Sequence, residues 1–133
     1  MPLDQQFSDQ TKPKISVLGA FELTDADGRK IEISNRRGRA ILGVLCLSPG
    51  LSLQRETVSP LIWAGRFKPQ ARASLRQCLH ELNRDLQSYG LQILQTSNTH
   101  ISLTSDGVHT DVQALATALS GRDVDKARAI LAK

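Results

Sequence analysis

Apolar and polar positions alternate from Ile15 onward, through Val17, Leu18, Phe21 and Leu23. With β-branched and aromatic residues among them, this is the period of a strand. Asp25-Ala26-Asp27-Gly28 reads as a tight turn, because Asp-Gly supplies the positive φ that a hairpin needs. Lys30-Ile31-Glu32-Ile33 alternates again, so the pattern predicts a small antiparallel sheet. The period then changes. Ala40, Ile41, Val44, Leu45 and Leu47 recur at helical spacing, predicting a helix over 35–47 with Ser34 as its N-cap and Pro49-Gly50 beyond its end.

Leu51 to Leu53 reads as a short link. A second helix is expected from Arg55 to Trp63, with Pro60 inside it to kink it or cut it short. The clearest element runs from Pro69 to Tyr89. At about 100° per residue, Ala71, Leu75, Cys78, Leu79, Leu82, Leu86 and Tyr89 fall in one narrow stripe. The opposite side carries Gln70, Ala73, Arg76, Gln77, His80, Arg84 and Gln87. Gly90 follows, then two short alternating runs, Leu91–Thr96 and His100–Thr104, that read as a hairpin across Ser97-Asn98. Val112–Leu119 and Val124–Leu131 read as two small Ala-rich helices. Residues 1–14 carry no period and read as a flexible N-terminal arm.

The 133 residues fit one compact domain, and scarce aromatics (4 %) require an aliphatic core. No apolar run approaches the roughly 18 residues of a membrane span, and the N-terminus is polar, which excludes a membrane protein or secreted precursor and points to the cytoplasm. Cys46 and Cys78 lie among leucines in predicted helices, the setting of reduced, inert core thiols. His80, His100 and His109 share no ligand spacing with them, so no metal site is expected. No paired carboxylates, glycine-rich phosphate loop or nucleophile–base pair stands out, and Ser74 and His80 point too differently on one helix to cooperate. The chain reads as a non-enzyme without a cofactor.

Placement of charge says more than its total of +4. Arg29, Lys30, Arg36, Arg37 and Arg39 face only Glu32 between 29 and 39, a local net of +4. Arg66, Lys68, Arg72, Arg76 and Arg84 face only Glu81 between 66 and 84, again +4, so the remainder of the chain sums to −4. Two basic segments on an otherwise acidic chain mark a polyanion-binding face; solvated helix surfaces are the plainer alternative. Three cations in the first turns of the 35–47 helix oppose its macrodipole, which favours an anion meeting them there.

Sheet, helix, helix, amphipathic helix and hairpin, in that order, form an α+β winged helix-turn-helix: N-terminal antiparallel sheet, three helices, C-terminal hairpin wing, then short helices. A helix about 12 Å across fits the major groove, where its polar face must offer hydrogen bonds to base edges and cations to phosphates. The 69–89 helix does both. On this reading Ser74, Gln77, His80, Arg84 and Arg76 meet base edges. Arg36, Arg37, Arg55, Lys68 and Arg72 meet phosphates, although Arg72, beside the apolar stripe, also suits an internal salt bridge. Asn98 and His100 stand on the wing.

Several stretches resemble one family. Ile15-Ser-Val-Leu-Gly19, Arg36-Arg37-Gly-Arg39-Ala40-Ile-Leu42, Leu61-Ile62-Trp63 and above all Ala71-Arg72-Ala73-Ser74-Leu75-Arg76-Gln77 are similar to Streptomyces antibiotic regulatory protein (SARP) type transcriptional activators. The resemblance spans 15–112. It implies an OmpR/PhoB-like winged-helix DNA-binding domain over 15–110, a recognition helix at 69–89 and a wing at 91–104. It further implies a bacterial, cytoplasmic regulator whose copies bind double-stranded DNA head to tail on direct repeats. Residues 111–133 resemble the opening helices of the activation domain that follows in such regulators. A chain stopping at Lys133 in mid-pattern reads as a fragment or a trimmed member, without the part that would reach RNA polymerase.

Three departures accompany the resemblance. The wing has His100-Ile101-Ser102-Leu103 where the family usually shows Gly-Tyr-Arg-Leu, and no Lys or Arg occurs between Gly90 and Val108. Pro60 interrupts the second helix, and Asn83 stands where the family commonly has arginine. The uncharged wing and Asn83 favour a second function: a winged-helix protein-interaction or dimerisation module that has lost DNA. The concentrated charge around 66–84 favours DNA binding.

Overall fold

A computed structural model of the chain describes residues 12–104, 107–121 and 124–131. These residues fall into two compact units, one comprising the chain up to Ile31 together with that beyond Ser105, the other running from Glu32 to Ser105. The N-terminal strands therefore group with the C-terminal helices, a grouping that reading the chain in order did not contain.

In the first unit, β1 (Lys14–Ser16) lies between β2 (Glu22–Thr24) and β6 (His109–Thr110). It pairs antiparallel with β2, Ile15 opposite Leu23, and parallel with β6, Ile15 opposite Thr110. The expected antiparallel sheet is thus mixed. Asp25 closes the turn after β2 by accepting from the N–H groups of Asp27 and Arg29, with Gly28 at φ 86°. Two helices follow β6: α4 (Asp111–Ser120), capped by the Thr110 hydroxyl, and α5 (Val124–Leu131), which packs on α4. The Asp111 carboxylate accepts from the N–H groups of Val17 and Leu18, fastening the α4 N-terminus to the chain after β1. Ile15, Leu23, Val108 and Ala118 are buried in this unit. Of the expected arm, residues 1–11 lie outside the described residues; Lys14 belongs to β1, and the Pro13 carbonyl accepts from His109 N–H.

The second unit holds α1 (Arg36–Cys46), β3 (Ser52–Gln54), α2 (Arg55–Ile62), α3 (Lys68–Ser88), β4 (Leu94–Thr96) and β5 (His100–Leu103). The three strands form an antiparallel sheet in the order β3-β5-β4. The hairpin is present as expected, while β3 replaces the expected link: three residues are too few to show a period, and β5 supplies its partner. A 3-10 turn at Pro49–Leu51 leads into β3, with Gly50 and then Leu51 at positive φ. Leu51 accepts that strain, of about 1–2 kcal/mol, while its side chain is buried.

Helix α3 is the spine of this unit. Ala71, Leu75, Cys78, Leu79, Leu82 and Leu86 are buried along it, the stripe read from the sequence, whereas Tyr89 lies just past its end and is 44 % exposed. Helices α1 and α2 both pack against it. At Gly38 an added Cβ would sit 3.4 Å from Leu82 Cδ1 and 3.5 Å from Ile33 Cγ2, so glycine lets α1 approach α3 closely. Helix α2 ends at Ile62, two residues past Pro60. Cys46 and Cys78 are both buried and form no disulfide among the described residues; burial pushes the Cys78 thiol up to about 11.

Ser34, the expected N-cap, does not cap α1; Asn35 does, its side-chain oxygen accepting from Arg37 and Gly38 N–H at 2.9 and 3.2 Å. Nor does Lys30–Ile33 form a strand: a single bridge joins Lys30 to Thr24. Side chains satisfy the backbone of 32–34 instead. Tyr89 Oη accepts from Glu32 N–H, Asp85 from Ser34 N–H and Oγ–H, and the Arg39 guanidinium donates to the Ile33 carbonyl.

Candidate nucleic-acid interface

Opposite the buried stripe of α3, the side chains of Gln70, Ala73, Arg76, Gln77, His80, Arg84 and Gln87 are all exposed. Burying one face of a 21-residue helix fixes the other face as a rigid polar strip. Pro69 at the start of the helix lacks the N–H that would be unsatisfied there. The first turn also carries Lys68 and Arg72, both exposed, which line a pocket of about 320 Å³ with Glu56, Ser59, Trp63 and Arg66.

A second, more open concavity of about 380 Å³ runs along the flank of α3 between Ser74 and Glu81, with Asn35 and Arg37 of the α1 N-terminus and Trp63 and Arg66 beyond α2. Arg37 stands with its guanidinium 5.7 Å from the centre of the Trp63 ring, a cation–π distance that orders the cation without neutralising it. Arg66 donates to Ser74 Oγ at 3.1 Å. Ser74, expected at a base edge, is thereby half-buried and engaged with a neighbouring cation.

Glu81 lies at the junction of α1 and α3. Its Oε2 accepts from Asn35 Nδ2 at 2.7 Å and its Oε1 from Gln77 Nε2 at 3.4 Å. Those two hydrogen bonds, with Arg84 and His80 nearby, hold the carboxyl below its ordinary value of 4.5. Asn35 uses both ends of its amide, capping α1 with the oxygen and binding Glu81 with the nitrogen. The sequence led us to expect an anion at the α1 N-terminus, where Arg36, Arg37 and Arg39 oppose the helix dipole. The chain supplies one itself, through Asn35. Glu81, Asp85 and Tyr89 repeat at four-residue intervals and bind Asn35, Ser34 and Glu32 in turn, so one edge of α3 fixes the segment entering α1.

The remaining predicted residues divide. Arg36 is exposed on the first turn of α1, while Arg39 is committed to the Ile33 carbonyl. Arg55 opens α2, its N–H donating to the Thr99 carbonyl at 2.8 Å. Its Nε is buried without a hydrogen-bond partner among the described residues. Since Gln54 pairs with His100, the β3–α2 junction brings Arg55 beside a hairpin whose own sequence has no Lys or Arg. Asn98 and His100 are exposed at the hairpin tip. There Ser97 Oγ accepts from Thr99 and His100 N–H, and Thr99 Oγ1 hydrogen-bonds His100 Nδ1 at 2.8 Å.

Sequence reasoning missed Asn35 and Trp63 as members of this surface, and read Arg66 and Glu81 only as charges of the 66–84 segment, Glu81 being its lone acid. Trp63 had no signal, since only packing brings it to the flank of α3.

No family model and no curated protein matches the chain. A solved structure does: EmbR of Mycobacterium tuberculosis, in complex with a low-affinity phosphopeptide, superimposes with a TM-score of 0.64 at 18 % identity. The match covers 91 % of this chain and 34 % of that one, so the chain spans about a third of the length of EmbR. The likeness supports a mixed α+β, winged-helix-like fold. Among the described residues no helix is long and apolar enough to cross a membrane.

Proposed function

We propose that this chain binds double-stranded DNA sequence-specifically as the DNA-binding part of a bacterial transcriptional regulator of the SARP type, with α3 in the major groove and the α1 N-terminus against the phosphate backbone. One observation carries the reading: the exposed face of α3 sets Arg76, Gln77, His80 and Arg84 on a helix whose other face is fully packed. Amide and guanidinium groups on a rigid helix are what base edges in the major groove require. Arg36, Arg37, Lys68 and Arg72 flank that strip as exposed cations, suited to phosphates. The fold shared with part of EmbR and the sequence resemblance both agree with a regulator. Ser74, held by Arg66, serves as a positioning contact beside the strip.

Copies binding head to tail on direct repeats, contact with RNA polymerase, residence in the cytoplasm and the absence of enzymatic activity belong to the same proposal. The cation-free hairpin favours one competing reading, a protein-interaction module built on this fold. Fluorescence anisotropy with a mixed pool of short duplexes, repeated across salt concentrations, separates the two. Micromolar binding that weakens with salt along a log–log slope of about −3.6, for the phosphate contacts of Arg36, Arg37, Lys68 and Arg72, supports DNA binding. Absence of binding even at low salt leaves the interaction module.

A further inference from the structure

We infer that Glu81 is a specificity-determining residue that selects cytosine in the DNA site; the inference rests on the DNA-binding reading above. A carboxylate on a phosphate-facing surface weakens non-specific binding, and Glu81 stands among five cations between 66 and 84. Glu81 sits in the open concavity beside Gln77, and its position is fixed before any ligand arrives by Asn35 Nδ2 at 2.7 Å and Gln77 Nε2 at 3.4 Å. Both oxygens retain a lone pair for another donor.

When α3 enters a groove and water leaves, an ionised carboxylate without a further donor becomes a desolvated, poorly compensated charge. Base edges in the major groove offer donors only at cytosine N4 and adenine N6; guanine and thymine present acceptors there. Adenine places its N7 acceptor beside N6, where it opposes a carboxylate, whereas cytosine has only a C–H next to its amino group. Gln77 strengthens the choice. With Nε2 given to Glu81, its Oε1 is the atom free to face the base, a second acceptor on the same patch. Specificity then arises as much by rejecting wrong bases as by holding the right one.

The test is selection from a pool of random duplexes followed by sequencing, run in parallel with wild-type protein, Glu81→Gln and Glu81→Ala, with thermal unfolding of each. Glu81→Gln keeps an acceptor for Asn35 and so separates charge from folding. The expected result is a wild-type motif containing a cytosine whose replacement by thymine weakens binding about tenfold. In Glu81→Gln that one position loses its preference, the others persist, and affinity for non-specific duplex rises several-fold. A motif unchanged in Glu81→Gln overturns the inference while DNA binding stands. So does a uniform loss across all positions that tracks a lowered melting temperature, since that is the mark of a purely structural role. If wild-type protein retains no duplex at all, the DNA-binding reading falls and the inference falls with it.

Discussion

The outward strip of α3 and the tip of the β4–β5 hairpin are both polar and exposed, yet their polar groups are in different states. At the hairpin tip, Ser97 and Thr99 spend their hydroxyls on the neighbouring N–H groups and on the His100 ring. Along α3, the side chains of Arg76, His80 and Arg84 stand on a helix anchored by six buried residues. The charge differs as well, with five cations between 66 and 84 and none between 90 and 108. Polar composition alone does not mark a binding surface; what matters is which groups are rigidly presented and which are already satisfied. Under the proposed function, recognition belongs to α3 and the α1 N-terminus, and the hairpin has a minor part.

Substitutions can break or sharpen that contrast. The largest effect is expected on the support of the strip. Leu82 is fully buried against α1 near Gly38, and Leu82→Ala should lower stability by about 2–5 kcal/mol, read by denaturant unfolding. Next comes the strip itself. Arg84→Ala should weaken duplex binding by about 1–3 kcal/mol with no comparable loss of stability, as measured by anisotropy beside a melting curve. Asn35→Ala removes the α1 cap and uncouples Glu81, at a cost of about 1 kcal/mol in unfolding free energy. His100→Ala should shift both affinity and stability by less than about 0.5 kcal/mol. A His100→Ala loss equal to that of Arg84→Ala would erase the contrast between strip and hairpin.

How far the sequence revealed these features depended on length and on where partners lie in the chain. Six of the seven residues in the α3 stripe are buried as its period required, because 21 residues of helix repeat the pattern often enough to read. Lys30–Ile33 does not form the expected strand. Ile31 and Ile33 are buried as the alternation suggested, but Tyr89 and Asp85, more than fifty residues away, and Arg39, six residues on, satisfy the backbone of 32–34. Strand β3 escaped notice because its only signal is the register with β5. At the candidate interface the exposed strip was legible from periodicity, whereas the flank was not. The Arg37–Trp63 contact, the Arg66–Ser74 bond and the Asn35–Glu81 link each join different elements, and no local spacing encodes them. Composition gave the N-cap only to within a residue, since Ser34 and Asn35 are both good capping types and adjacent.

Recognition by α3 and the α1 N-terminus is tested most directly by titrating isotope-labelled protein with a short mixed-sequence duplex and following every backbone amide by NMR. The largest shifts are expected from Lys68 to Arg84 and around Arg36 and Arg37, with small ones at Asn98 and His100. Shifts confined to the hairpin or to α4 and α5, or no shifts at low salt, would contradict it.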